Sequence, residues 1–307
     1  MNQAPVTGTA ERGGRPLHLR SAEWLLVIYF GYVAAIAPRF PLQQQLVWRP
    51  FLVELLVCAL FLALAYGESH EHAELFSMVR DWVPVALLLL AYREMDWFSS
   101  LARDFDLELR WVEWDRTILY QSHLQRVIEW LGALGPMYLE LCYVLVYAVA
   151  PFLVAVFYLQ HQRERANGAL FLYLLGTLAA YALFPYFPSD PPRIAFGGGD
   201  MPNITTALRQ LNLWLLNGYS IHSSVFPSAH VSSVFSAAWA LFAFLPERKR
   251  YGWGMLVYAV SVAVATVYGR YHYAADVGAG MAISLVPAAM ILLALRRLRA
   301  RGLLELP

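Results

Sequence analysis

"VFPSAHVSS", residues Val225 to Ser233, sets a serine and a histidine between a Pro-ended hydrophobic loop and the apolar run from Val234 to Leu245. A histidine at the mouth of such a run poses the functional question; the run itself poses the question of fold. The composition answers the second. Hydrophobic residues make up 59% of the 307 and charged ones only 15%, with a mean hydropathy of +0.47, beyond what a soluble domain carries. The chain reads as an all-α, polytopic membrane protein. A net charge of +1 leaves no basic patch, and the aromatics fall in apolar runs, so nucleic acid is not an expected partner. Cys58 and Cys142 both lie in apolar runs, where cysteine acts as a small hydrophobe rather than a disulfide or metal ligand.

Set against the roughly 20 residues needed to cross a bilayer, eight spans are expected: 24–37, 51–66, 82–92, 136–159, 169–187, 231–245, 253–268 and 274–295. The third is short and needs Arg80, Asp81 and Arg93 to snorkel at its ends. Arginine placement sets the orientation. Arg12, Arg15 and Arg20 precede the first span, Arg163 and Arg165 follow the fourth, Arg248 and Arg250 follow the sixth, and Arg296, Arg297, Arg299 and Arg301 end the chain. Eight spans put all four clusters, and both termini, in the cytoplasm. The expected organisation is a disordered N-terminus (1–20), N-terminal spans (21–95), interfacial helices (96–135), a C-terminal helical core (136–295) and a basic tail (296–307).

This topology brings three polar junctions to the extracytoplasmic face: "FPSDPPR" (Phe187 to Arg193), "FPSAH" (Phe226 to His230) and "YGRYHYAAD" (Tyr268 to Asp276). His272 and Asp276 are four apart, so on a helix they share a face, and the carboxylate can fix the imidazole tautomer and raise its nucleophilicity. Ser228 suits an N-cap, and the free amides of the turn it opens favour an anion. His230, in the same turn, is placed to protonate a leaving oxygen. Arg193 and Arg270 offer planar donors to phosphate oxygens. Two histidines, a carboxylate and two arginines at a lipid interface point to phosphoryl transfer.

At these residues the chain resembles the type 2 phosphatidic acid phosphatase (PAP2) superfamily: "PSDPPR", "FPSAH" and "GRYHYAAD" are similar to its first, second and third signatures. The resemblance implies that His272 is the nucleophile that forms a phosphohistidine, that Asp276 orients it, and that His230 is general acid and then base. It implies that Arg193, Arg270 and Ser228 hold the phosphoryl oxygens, that the substrate is a phospholipid or lipid phosphate, and that no metal or other cofactor takes part.

Two departures matter. Tyr186 stands where the first signature usually has a lysine, and Thr266 where the third usually has an arginine. Fewer cations suit a phosphodiester monoanion better than a phosphomonoester dianion. With the Pro-Pro of the first motif and a second motif lacking glycine, this looks like the branch containing inositol phosphorylceramide synthases, so transfer of a headgroup to an alcohol such as inositol stands beside plain lipid phosphate hydrolysis. The predominance of arginine, with Lys249 the one lysine, suits a GC-rich bacterial genome and a bacterial plasma membrane. A non-enzymatic anion transporter is the other class, but repeat symmetry and matching broken spans are not seen.

Glu54, Glu140 and Asp190 fall near the outer surface, where an ionisable group must face a cavity or a partner; they either line a headgroup pocket or are held locally. "WVEWDRTIL" puts Val112, Asp115 and Ile118 on one edge, fit either to roof the site or to lie on the surface. His70-Glu71-His72 reads as a loop rather than a metal site. Oligomeric state is not legible.

Overall fold

A computed structural model describes residues 17–40, 47–70, 73–99, 105–198 and 200–301. Most of the expected disordered N-terminus, the end of the basic tail, and Glu71 and His72 lie outside the described residues. The α-helices in chain order are α1 (Ser21–Ile36), α2 (Arg49–Glu68), α3 (Ala73–Glu94), α4 (Phe105–Arg116), α5 (Leu124–Glu129), α6 (Leu134–Val144), α7 (Val149–Leu159), α8 (Ala166–Leu183), α9 (Pro192–Ala195), α10 (Ala207–Tyr219), α11 (Ala229–Phe244), α12 (Lys249–Tyr268) and α13 (Ala274–Ala300). Each of the eight expected spans is helical. Among the described residues, seven helical stretches are long and apolar enough to cross a membrane. The remaining one, α11, has only 16 residues, about 24 Å at 1.5 Å per residue. The chain is a polytopic, all-α membrane protein.

α11 is the hub, packed by α8, α12 and α13. Its sequence is rich in alanine and serine, which lets neighbouring backbones come close. A Cβ at Gly176 of α8 would fall 2.0 Å from the Ser236 hydroxyl oxygen, and one at Gly280 of α13 would fall 2.5 Å from the Ser228 carbonyl oxygen. The same proximity lets Ser232 Oγ donate to the Gly176 carbonyl at 2.7 Å, satisfying a buried hydroxyl. At the top of α11, Ser228 accepts from the Val231 amide at 3.3 Å, the N-cap expected of it.

The third span departs from expectation. α3 runs 22 residues rather than eleven, with Pro84 inside it, and Arg80 and Asp81 do not snorkel; they are 2% and 5% exposed. Arg80 pairs with Glu23 at 2.5 Å and with Glu68, while Asp81 binds Arg20 and Arg163, both at 2.7 Å, and accepts from the Tyr158 hydroxyl. Arg20 also reaches Glu68 at 2.9 Å. This net ties α1, α2, α3 and the α7–α8 turn together at one end of the bundle. Arg93, at the far end of α3, is exposed and meets Asp96 at 3.8 Å.

Candidate active site

The three polar junctions meet at the other end. The loop after α8, the start of α11 and the α12–α13 loop are knitted by hydrogen bonds. The Arg193 amide donates to the Arg270 carbonyl at 3.1 Å and the Ser228 amide to the Asp276 carbonyl at 3.0 Å. Ser189 and Ser224 share a hydroxyl contact at 3.2 Å, and Ser224 also donates to the Phe187 carbonyl. Between these strands of loop lies a cleft of about 60 Å³, lined by residues that include Arg193, His230 and His272.

His272 is 5% exposed and Asp276 fully buried. Imidazole Nδ1 lies 3.0 Å from the Val225 carbonyl oxygen and 3.3 Å from Asp276 Oδ2. A carbonyl can only accept, so Nδ1 carries the proton and Nε2 presents its lone pair. That Nε2 lies 3.3 Å from His230 Nδ1. Burial, joined by the positive charge of Arg193, pushes the His272 pKa down to about 3, so the ring is neutral. Asp276 Oδ2 also accepts from the Tyr273 amide at 2.9 Å, which holds the carboxylate on the first turn of α13. His230 is stacked on Tyr143, ring centroids 5.0 Å apart, with Tyr147 edge-on at 5.9 Å.

A family model of the PAP2 superfamily matches residues 112–290. The chain belongs to the PAP2 superfamily. It is thus a membrane enzyme of the lipid phosphate phosphatase and phosphotransferase type. No curated protein and no solved structure matches the chain. Within this PAP2 fold the sequence-predicted residues separate into those that meet at the cleft and those that do not. His230, His272, Arg193 and Asp190 line it, and Asp276 backs His272. Ser228 sits behind the lining as the cap of α11, with Ala229 at the surface of the cleft.

Arg270 is elsewhere. Its guanidinium is 1% exposed and pairs with Asp115 of α4 at 2.7 Å, away from the cleft lining, while its backbone turns through a left-handed φ of 61°. Glu140 is also spoken for: Arg209 at 2.9 Å, Asn212 at 2.7 Å and the Tyr271 hydroxyl at 2.6 Å hold it under the α12–α13 loop. Glu54 lies against Gly31 of α1 and accepts from Cys58 Sγ at 3.3 Å, outside the lining.

α4 is the roof that the sequence left open. Asp115 Oδ1 accepts from the Ala274 amide at 2.8 Å and Oδ2 from Arg270, so one carboxylate grips the loop on both sides of His272. Burial pushes this carboxyl up to about 7, against the pull of the Ala274 amide and Arg270. Glu108 accepts from the Asp190 amide at 2.6 Å, and Trp111 stacks on Phe226 at 5.1 Å. Ile118 does not share this edge; it is 37% exposed because the α-helix ends at Arg116. Reasoning from sequence alone missed Glu108 and Trp111, whose signal was spacing: Glu108, Trp111, Val112 and Asp115 recur at three and four residues, one face of a helix.

Proposed function

We propose that this protein transfers a lipid-linked phosphoryl headgroup through a phosphohistidine on His272. The observation that carries the reading is the commitment of Nδ1 to Val225 and Asp276, which leaves the Nε2 lone pair facing His230 beside Arg193. The Nε2 lone pair attacks phosphorus, the bond from phosphorus to the lipid alcohol oxygen breaks, and His230 delivers a proton to that oxygen. The negative charge of the substrate favours the protonated form of His230. In the second half His230 takes the proton of the acceptor hydroxyl, the acceptor oxygen attacks phosphorus, and the N–P bond breaks. At 3.3 Å the two imidazoles leave no room for phosphorus, so an entering phosphoryl group parts them and replaces their contact.

The acceptor in this reading is an alcohol, as in the inositol phosphorylceramide synthase branch. Its support is charge: Arg270 pairs with Asp115 outside the lining, and among the described residues Arg193 is the one arginine or lysine lining the cleft, enough for a diester but thin for a monoester near −2. The arginine clusters support an extracytoplasmic cleft with cytoplasmic termini in a bacterial plasma membrane, and a division into N-terminal spans (21–95), interfacial helices (96–135) and catalytic core (136–295). Purified protein given a phospholipid donor with inositol, and separately phosphatidic acid, tests the reading. Alcohol-dependent product forming faster than phosphate is the expected result; phosphate release from phosphatidic acid with no alcohol-dependent product would make the enzyme a plain lipid phosphatase.

A further inference from the structure

The cleft carries little positive charge but has donors of another kind. Arg193, set 5.7 Å over the Tyr271 ring, is opposed by Asp190 in the same lining. Outside the lining, Arg270 pairs with Asp115 and Arg209 with Glu140. Three tyrosines line it; Tyr271 gives its hydroxyl to Glu140, which leaves two phenols from different parts of the chain. Tyr92 comes from the end of α3, outside the stretch matched to the superfamily, and Tyr143 from α6.

The hydroxyl oxygen of Tyr92 accepts from the Ile221 amide at 3.2 Å. Its own proton has no acceptor among the described residues. Tyr143 is 2% exposed, its ring clamped between Tyr271 at 3.9 Å and His230 at 5.0 Å. Its hydroxyl has no hydrogen-bond partner among the described residues, and it lies within electrostatic reach of Arg193. A buried phenol normally finds a partner, so two unused O–H donors beside one arginine mark a place for an acceptor oxygen. Tyr92 also lines a second cavity of about 210 Å³, which shares Tyr92, Ala229 and His230 with the cleft and is otherwise largely apolar, with Val85, Leu88 and Leu89 on one wall. Tyr92 therefore stands where an oxygen in the cleft would meet a hydrocarbon in the second cavity.

We propose that Tyr92 and Tyr143 bind the non-bridging oxygens of a phosphodiester, and that these neutral donors, with Arg193 as the single cation, select a singly charged diester over a doubly charged monoester. Phenols stabilise an anion without adding charge, so a diester meets one cation and two neutral donors. A monoester would leave one negative charge unanswered beside Asp190, and uncompensated charge is costly in a low-dielectric site. The inference rests on reading the cleft as a phosphoryl site, and it fixes the substrate class that the site takes.

The test is equilibrium binding by calorimetry at pH 8, in detergent, of dihexanoyl phosphatidylglycerol and dihexanoyl phosphatidic acid. Wild type, Tyr92→Phe, Tyr143→Phe, the double variant and His272→Ala are compared. Wild type is expected to bind the diester at least about 10-fold more tightly, each single variant to weaken that binding about 10-fold and the double variant about 100-fold, with the monoester changed less than about threefold. Wild type preferring the monoester or binding neither, or a double variant that holds the diester within about threefold of wild type, would overturn the proposal. His272→Ala should keep diester binding while losing transfer. If it kept both, the phosphohistidine reading would fail and the phenols would still stand on the binding result.

Discussion

Two turns into α3, Arg80 and Asp81 sit in a closed net in which Arg20, Glu23, Glu68 and Arg163 answer every charge. Eleven residues beyond Asp81, about 16 Å along the helix axis, Tyr92 opens onto a cleft whose groups are incompletely used: two phenol protons, an arginine over an aromatic face, and a histidine lone pair met only by the other histidine. Both ends are polar patches in an apolar bundle, and by residue type the first is the more highly charged. What separates them is satisfaction. Charges that neutralise one another pack helices, whereas donors and acceptors held in place but left open bind something else. In the roof, Asp115 accepts from Arg270 Nη1 and from the Ala274 amide and so fixes the loop on which His272 stands, while Arg270 Nε and Nη2 have no hydrogen-bond partner among the described residues.

The comparison breaks most visibly at the open end. His272→Ala should lower transfer at least about 10⁴-fold and His230→Ala about 10²- to 10⁴-fold, with Asp276→Asn leaving a measurable trace because the nucleophile remains. Initial rates on a phospholipid donor check the ordering; full activity in either histidine variant would place the chemistry elsewhere.

At the closed end the expected effect is on stability alone. Arg80→Ala leaves Glu23 buried without its partner and should cost about 3–5 kcal/mol, read as a lower midpoint in detergent unfolding, with kcat/KM per folded molecule unchanged. A selective loss of kcat in that variant would erase the distinction between the two clusters.

The smallest effect is in the pH profile. Burial and then Arg193 depress His272 to about 3, so the protonated, non-nucleophilic form appears only at lower pH than for an ordinary histidine. The acid limb of kcat/KM on a diester should fall below about pH 5, against the usual histidine value of about 6.5. A decline centred near 6.5 would mean that His272 is not the group held neutral.

Much of this was legible in sequence where spacing is short. The i, i+4 pair His272 and Asp276, the Ser228 cap and the helical spans follow from local geometry, and the matched stretch of the PAP2 superfamily begins at Val112. Long-range partners were not legible. Arg270 looked like a phosphate ligand because nothing local shows Asp115, 155 residues away, and Glu140 stayed open between pocket lining and a local partner because Arg209 lies 69 residues off. The third span looked short for the same reason: the charges of Arg80 and Asp81 lower its hydropathy, and only the folded net shows them neutralised. Tyr92 and Tyr143 carry no local signal at all; only the fold sets both on the wall of one cleft.

The central claim is a covalent bond at one nitrogen, and it can be observed directly. Purified enzyme mixed with a headgroup-labelled phospholipid donor, without acceptor alcohol, should be quenched in base, where an N–P bond survives, then digested and sequenced by mass spectrometry. The account predicts label on the peptide carrying His272, its discharge when alcohol is added before the quench, and none in His272→Ala. Turnover proceeding while no label forms, or label on another residue, would contradict it.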